Sequence, residues 1–251
     1  VIMSEMQWMH RENLYLDLFV CGAKPEYEYI RDTYGFAPQV TRYLGLARWD
    51  HLLQAGQAPC KKMILLMPTW RGSRYPEGEA FLDTPYYKAF ESLLNSARLD
   101  ALLEQYGYTL VFYPHIEMQK HLSRFHARSE RVVLADNSMY DVQQLLLDCT
   151  LLITDHSSVF FDVAYLEKPE LYYQFDEEDY QRYHYQKGYF DFARDGFGPV
   201  CTTEEALLQA LETALQNGMQ MPPEYKARTA AFFPLRDTQN CARTYEAICG
   251  L

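Results

Sequence analysis

Short, continuous apolar runs alternate with helix-patterned segments along almost the whole chain, and this alternation restricts the fold more than any other feature. The runs lie at 63–67, 109–113, 131–134, 151–154 and 170–173, with others at 1–4 and 40–44. Several lack the polar alternation of a half-exposed strand, as expected for strands buried on both faces of a parallel sheet. Helix patterns fall at 25–34, 86–106, 118–123, 141–147, 157–166, 203–217 and 238–249. Thr203 opens the helix at 203–217 and Gly218 closes it. Strands and helices in turn predict an α/β fold, a Rossmann-like doubly wound parallel sheet, as one domain over residues 1–251.

Bulk properties narrow the function. The 251 residues, 48% of them hydrophobic, suffice for a full core. Formal net charge is −11, from 23 basic and 34 acidic residues. So acidic a chain is a poor binder of nucleic acid or anionic membranes, and an anionic ligand must be met by a few placed groups. The high aromatic content, 15% with 21 Tyr, suits stacking against a base or sugar as well as ordinary packing. Six scattered cysteines without a C-x-x-C pair read as reduced core residues, not as disulfides or a zinc site. No run of 18 apolar residues and no signal peptide is present. The chain begins at Val1 and enters a strand-like segment at once, so it is expected to be a fragment of a larger protein.

In a doubly wound sheet, ligands sit beyond the carboxyl ends of the strands. Three of those ends carry chemistry here. Leu151-Leu-Ile-Thr-Asp-His-Ser-Ser-Val-Phe-Phe-Asp162 runs from a strand through a polar turn into an expected amphipathic helix, where backbone N–H groups and the Ser157 and Ser158 hydroxyls suit a phosphate. The alternative is that Asp155 or Ser157 merely caps the helix. After 63–67 come Pro68-Thr-Trp-Arg71, and after 109–113 come Pro114-His115. Arg71 offers a planar fork for phosphate oxygens, and a protonated His115 can donate to a leaving phosphate. His156 adjoins both Asp155 and Ser157, but neighbours in a tight turn point apart, so no Ser-His-Asp triad is expected. His184, in the Tyr- and acid-rich tract 174–199, reads as a surface residue or a cleft residue. No His/Asp/Glu cluster has metal-ligand spacing, and no phosphate-loop motif occurs.

These stretches resemble the CDP-glycerol glycerophosphotransferase family of teichoic acid primases and polymerases, specifically the C-terminal donor-binding half of their GT-B fold. The matching residues are Gly45-Leu-Ala-Arg-Trp-Asp50, Met67-Pro-Thr-Trp-Arg71, Phe112-Tyr-Pro-His115 and the stretch 151–162. They continue with Ala164-Tyr-Leu-Glu-Lys-Pro169, Tyr173-Gln-Phe-Asp176, Gly188-Tyr-Phe-Asp191 and Gly198-Pro-Val200, in the family's order. The resemblance implies transfer of a polyol phosphate from CDP-glycerol, or a CDP-ribitol-like donor, to a lipid-linked or polymeric acceptor. It implies His115 as the catalytic contact to the leaving group. Arg71, Thr154, Asp155, Ser157, Ser158 and Lys187 would hold the donor phosphates or nucleotide. No metal or cofactor is implied. The enzyme would be cytoplasmic, at the inner face of the cell membrane, docking through parts outside this chain.

Some positions depart from the family pattern. His156 replaces an aromatic residue, Lys187 stands where an arginine is common, and Asp237-Thr238 replaces Asp-Gly. The family's N-terminal histidine, its expected general base, is absent, so this chain alone is expected to bind donor and catalyse poorly or not at all. Two other readings stay open: a GT-B glycosyltransferase using a nucleotide sugar, and a non-catalytic donor-binding scaffold.

Overall fold

The computed structural model describes residues 1–72, 75–178, 180 and 187–251. At its centre, among the described residues, is a six-stranded sheet. Its strands are β3 (Met63–Leu66), β4 (Thr109–Phe112), β5 (Val132–Leu134), β6 (Leu151–Thr154), β7 (Glu170–Tyr173) and β8 (Val200–Cys201), all paired in parallel in the order β5-β4-β3-β6-β7-β8. Taken in chain order this is 3-2-1-4-5-6, the doubly wound arrangement, and the order reverses between β3 and β6. A smaller parallel pair, β1 (Phe19–Cys21) and β2 (Thr41–Tyr43), flanks α1 (Lys24–Thr33).

The period of two along each strand divides the core into two layers. Ile64, Leu66, Leu110, Phe112, Leu151 and Ile153 face one side, against α3 (Pro85–Leu94), α4 (Ala97–Tyr106) and α8 (Glu204–Gln216). Met63, Leu65, Val111, Leu152 and Tyr172 face the other. There they meet α2 (Arg48–Ala55), α5 (Val142–Asp148), α6 (Phe160–Tyr165) and α9 (Pro223–Phe232). The β1–α1–β2 unit closes over a third cluster of its own, built on Phe19, Cys21, Ile30, Tyr34 and Phe36.

Several elements differ from the sequence reading. The segment 86–106 is two helices, because Ser96 turns extended (ψ 122°) and its hydroxyl caps α4. The segment 118–123 lies within a 3₁₀ helix, Ile116–Arg124. Residues 1–4 form no strand, whereas β1, β8 and the four-residue α7 (Phe192–Asp195) arise where no element was expected. The helix expected from Ser157 starts at Phe160, and all six residues of α6 are buried, so it is not amphipathic.

Two of the matched sequence stretches prove to be architectural. The Arg48 fork lies on the buried Asp162 carboxylate at 2.8 and 3.1 Å, and the Trp49 indole N–H donates to the same group at 2.7 Å. Asp50 reaches the start of α10 (Asn240–Cys249), accepting from the backbone N–H groups of Asn240 and Cys241 at 2.9 and 2.8 Å. Gly45 beside them has φ +77°, and a Cβ there would fall 1.8 Å from Asn240 Oδ1, so only glycine fits. Lys168 is buried with its ammonium on the carbonyls of Leu146, Leu147 and Cys149, at 2.7–2.8 Å. It closes the carboxyl end of α5.

Candidate functional site

The candidate site lies where the strand order reverses. Leu66 sits opposite both Phe112 and Ile153, so the loops leaving β3, β4 and β6 emerge level with one another. Adjacent strands are about 4.8 Å apart, which sets the β4 and β6 loops about 10 Å from each other with the β3 loop between them.

The β3 loop touches both neighbours. Thr69 donates its backbone N–H and hydroxyl to Asp155 Oδ1 at 2.8 and 2.7 Å. One residue on, the Trp70 ring stacks on His115, with centroids 6.1 Å apart and planes 15° apart. His115 is exposed and caps the 3₁₀ helix Ile116–Arg124, its Nδ1 accepting from the Glu117 N–H at 3.3 Å. With Nδ1 accepting, the neutral ring carries its proton on Nε2, a donor toward solvent.

On the β6 side, residues 155–159 form a turn ahead of α6. The Ser157 and Ser158 carbonyls accept from Phe160 and Phe161, but among the described residues neither serine's backbone N–H has a partner. The Ser157 hydroxyl makes only a 3.5 Å contact with the Val159 N–H. These two residues therefore present donors beyond the end of β6. The turn supplies them, since α6 is too short and begins too late to act as the expected helix N-terminus. Asp155 does not cap that helix either.

Other expected phosphate contacts are engaged elsewhere. Arg71 is buried, its Nε and Nη2 paired with Asp176 at 2.7 and 3.0 Å, Nη2 also 2.6 Å from Asp155 Oδ2, and Nη1 on the Thr69 carbonyl at 2.9 Å. Its fork faces protein rather than an open cleft. Thr154 donates to the Met67 carbonyl at 2.7 Å. Asp155 is fully buried. Burial alone would raise its carboxyl, but Arg71 first, then the charge of His156 and the Thr69 hydroxyl, hold it below the usual carboxylate range. A carboxylate so held cannot approach a phosphate favourably. Lys187 is exposed and its ammonium rests on Asp191 at 3.0 Å.

Sequence reasoning missed several side chains. Gln174, buried past the end of β7, donates to the Asp155 carbonyl at 3.0 Å and approaches His156 Nδ1 at 3.4 Å. Tyr180 stacks on the His156 ring at 3.8 Å, and Phe192 meets it edge-on at 5.9 Å. No local pattern signals such partners. His184 lies outside the described residues. Among the described residues no three His, Cys, Asp or Glu side chains are gathered to hold a metal ion, and no helix is long and apolar enough to cross a membrane.

Comparison with known proteins adds identity to this geometry. A family model described as CDP-Glycerol:Poly(glycerophosphate) glycerophosphotransferase matches residues 29–250. The minor teichoic acid biosynthesis protein GgaB of Bacillus subtilis (strain 168) is 32% identical over 258 residues, an alignment covering 98% of this chain and 27% of GgaB. The teichoic acid poly(glycerol phosphate) polymerase of Bacillus spizizenii (strain ATCC 23059 / NRRL B-14472 / W23) is 34% identical over 154 residues, 60% of this chain and 36% of that protein. The chain thus spans about a quarter to a third of the length of these curated relatives. A variant of the wall teichoic acid polymerase TagF, soaked with CDPG, superposes with a TM-score of 0.66 at 21% identity, covering 93% of this chain and 57% of that one. The six-stranded parallel α/β fold is the one TagF uses.

Proposed function

The chain belongs to the CDP-glycerol:poly(glycerophosphate) glycerophosphotransferase family, and from that premise we propose that it is the donor-binding part of a teichoic-acid-type transferase. The donor is a CDP-polyol, CDP-glycerol in the first instance, and the acceptor is a hydroxyl of a lipid-linked or polymeric chain. One observation carries this reading: the Ser157–Ser158 turn presents unengaged N–H groups at the reversal point of the sheet, about two strand spacings from an exposed histidine. The CDPG-soaked TagF variant, with the same fold, supports the choice of donor.

In this reading the diphosphate lies between the two loops. The acceptor oxygen attacks the phosphorus that carries the polyol, the bond from that phosphorus to the bridging oxygen breaks, and CMP departs with the electron pair. The Ser157 and Ser158 N–H groups and hydroxyls hold the non-bridging oxygens. His115 Nε2 donates to the departing phosphate, with Trp70 fixing its ring plane. Positioning and charge stabilisation account for most phosphoryl-transfer catalysis, so no covalent enzyme intermediate is needed. The acceptor's proton goes to a general base outside these residues, and this chain alone binds donor without turnover. The whole protein works at the inner face of the cell membrane, held there by parts other than this chain.

Isothermal titration with CDP-glycerol, CMP and UDP-glucose tests the assignment. Cytidine ligands should bind selectively. Replacing both Ser157 and Ser158 by alanine should weaken CDP-glycerol about 10-fold or more, since a hydrogen bond to a charged group contributes roughly 1.5–3 kcal/mol. Preference for UDP-glucose would move the chain to nucleotide-sugar chemistry. Undiminished binding by the double variant would remove the two hydroxyls from the site and leave only the backbone N–H groups as contacts.

A further inference from the structure

Arg71, Asp155 and Asp176 stand just beyond the carboxyl ends of three different strands, β3, β6 and β7. All three are buried side chains, exposed by 3%, 0% and 5%. The guanidinium engages Asp176 in a bidentate pair, reaches Asp155 with Nη2 and returns to the Thr69 carbonyl with Nη1. Aromatic rings close around it, Tyr86, Phe175 and Tyr180 lying 5.4, 5.8 and 5.3 Å from the guanidinium carbon. From the other side Thr69 and Gln174 grip Asp155 by its carboxylate and its carbonyl. The one arginine is set against two buried carboxylates. An arginine waiting for an anionic ligand would instead face an open cleft with donors to spare.

We propose that Arg71 and Asp176 are positioning residues for the donor turn: the chain of contacts Asp176–Arg71–Asp155 holds residues 155–159 in the conformation that presents the Ser157 and Ser158 N–H groups, and Arg71 does not touch the donor itself. The proposal deepens the donor-binding reading and rests on it. The physical logic is preorganisation. A turn already held by this polar network loses little freedom when the phosphate arrives, so more of the interaction appears as affinity. The planar fork is needed because it must satisfy a bidentate carboxylate and a second carboxylate at once, which an ammonium cannot do.

The competing possibility is a latent ligand, an arginine sequestered by Asp176 and released when donor binds. The substitution Asp176→Asn separates the two by sign. It keeps the side chain's shape but turns one acceptor oxygen into a donor that opposes the guanidinium. If Arg71 positions the turn, CDP-glycerol should bind roughly 10-fold more weakly. Exchange of the His156 amide, which donates to Asp155 Oδ1 at 2.6 Å, should also quicken roughly 10-fold in the ligand-free variant, while β3 and β4 keep their protection. If Arg71 is a latent ligand, Asp176→Asn frees it, affinity rises and exchange in the turn is unchanged; either result overturns the proposal. Should Asp176→Asn not fold, Arg71→Lys serves, since it keeps the charge and loses the fork. Wild-type affinity in that variant would show that a point charge is enough, against the proposal. A wild-type chain that binds no CDP-glycerol would sink the donor reading, and the exchange measurement would still decide whether the network holds the turn.

Discussion

Replacing Asp50 by alanine should destabilise the fold strongly and leave nucleotide binding intact, although Asp50 belongs to one of the stretches that mark the family. Its carboxylate accepts from the Asn240 N–H at 2.9 Å, the Asn240 side-chain amide at 2.6 Å and the Cys241 N–H at 2.8 Å. The group thus caps α10 from a distant part of the chain, while only 8% exposed. Loss of a cap costs about 1 kcal/mol, and leaving buried donors unsatisfied adds roughly 1–3 kcal/mol. About 3 kcal/mol in total corresponds to a fall in Tm of about 6–12 °C for a chain of this size. Burial tends to raise the Asp50 carboxyl, but hydrogen bonds from Cys241 and Asn240 outweigh it and hold it below the usual range. The contribution is therefore complete above the ordinary carboxylate pKa and fades as pH falls through the lower folded value. Thermal unfolding of both proteins at neutral and acid pH, with CDP-glycerol titration well below the variant's Tm, measures every part. An unchanged Tm with lost binding would refute the reasoning, because Asp50 would then belong to the ligand site.

Two further outcomes follow from single groups. Glu170 is buried, with Oε2 accepting from the Tyr172 hydroxyl at 2.7 Å and no hydrogen-bond partner for Oε1 among the described residues, and burial pushes its carboxyl well above the usual range. The folded state then keeps a proton that the unfolded chain releases, so stability should fall by up to about 1.4 kcal/mol per pH unit above the ordinary glutamate pKa. Glu170→Gln should flatten that slope in urea unfolding at pH 5 and pH 7.5; equal slopes would mean that Glu170 is ionised in the fold. In the complete enzyme, His115→Ala should lower kcat about 100-fold if the imidazole serves the leaving group, and an unchanged kcat would exclude it.

The sheet was legible because its signal is local. Runs such as Met63–Leu66 and Leu151–Thr154 are buried at every position, and unbroken apolar sequence is the direct consequence. Where burial is partial or the element very short, the signal fails. β8 has two residues, and the three-residue β1 alternates between buried and half-buried positions. The apolar residues Val1–Met3 mimic a strand without pairing: Val1 and Met3 pack against the second core layer and Ile2 against the β1–α1–β2 cluster. The helix break at Ser96 was readable in principle, since serine ahead of Ala97 is a standard cap.

The sequence alone determined which edge of the molecule gathers the candidate residues, because the strand ends follow from hydrophobic pattern and a parallel sheet brings those ends together. It therefore picked out His115 and the Ser157–Ser158 turn as candidates. Only the tertiary structure decided which polar groups at that edge remain open. Arg71 and Asp176 are 105 residues apart, and Thr69 and Asp155 are 86 apart. A charged side chain reads the same in sequence whether it awaits a phosphate or is already saturated by a carboxylate. The difference lies in burial and hydrogen-bond satisfaction, which are set by what the fold brings alongside.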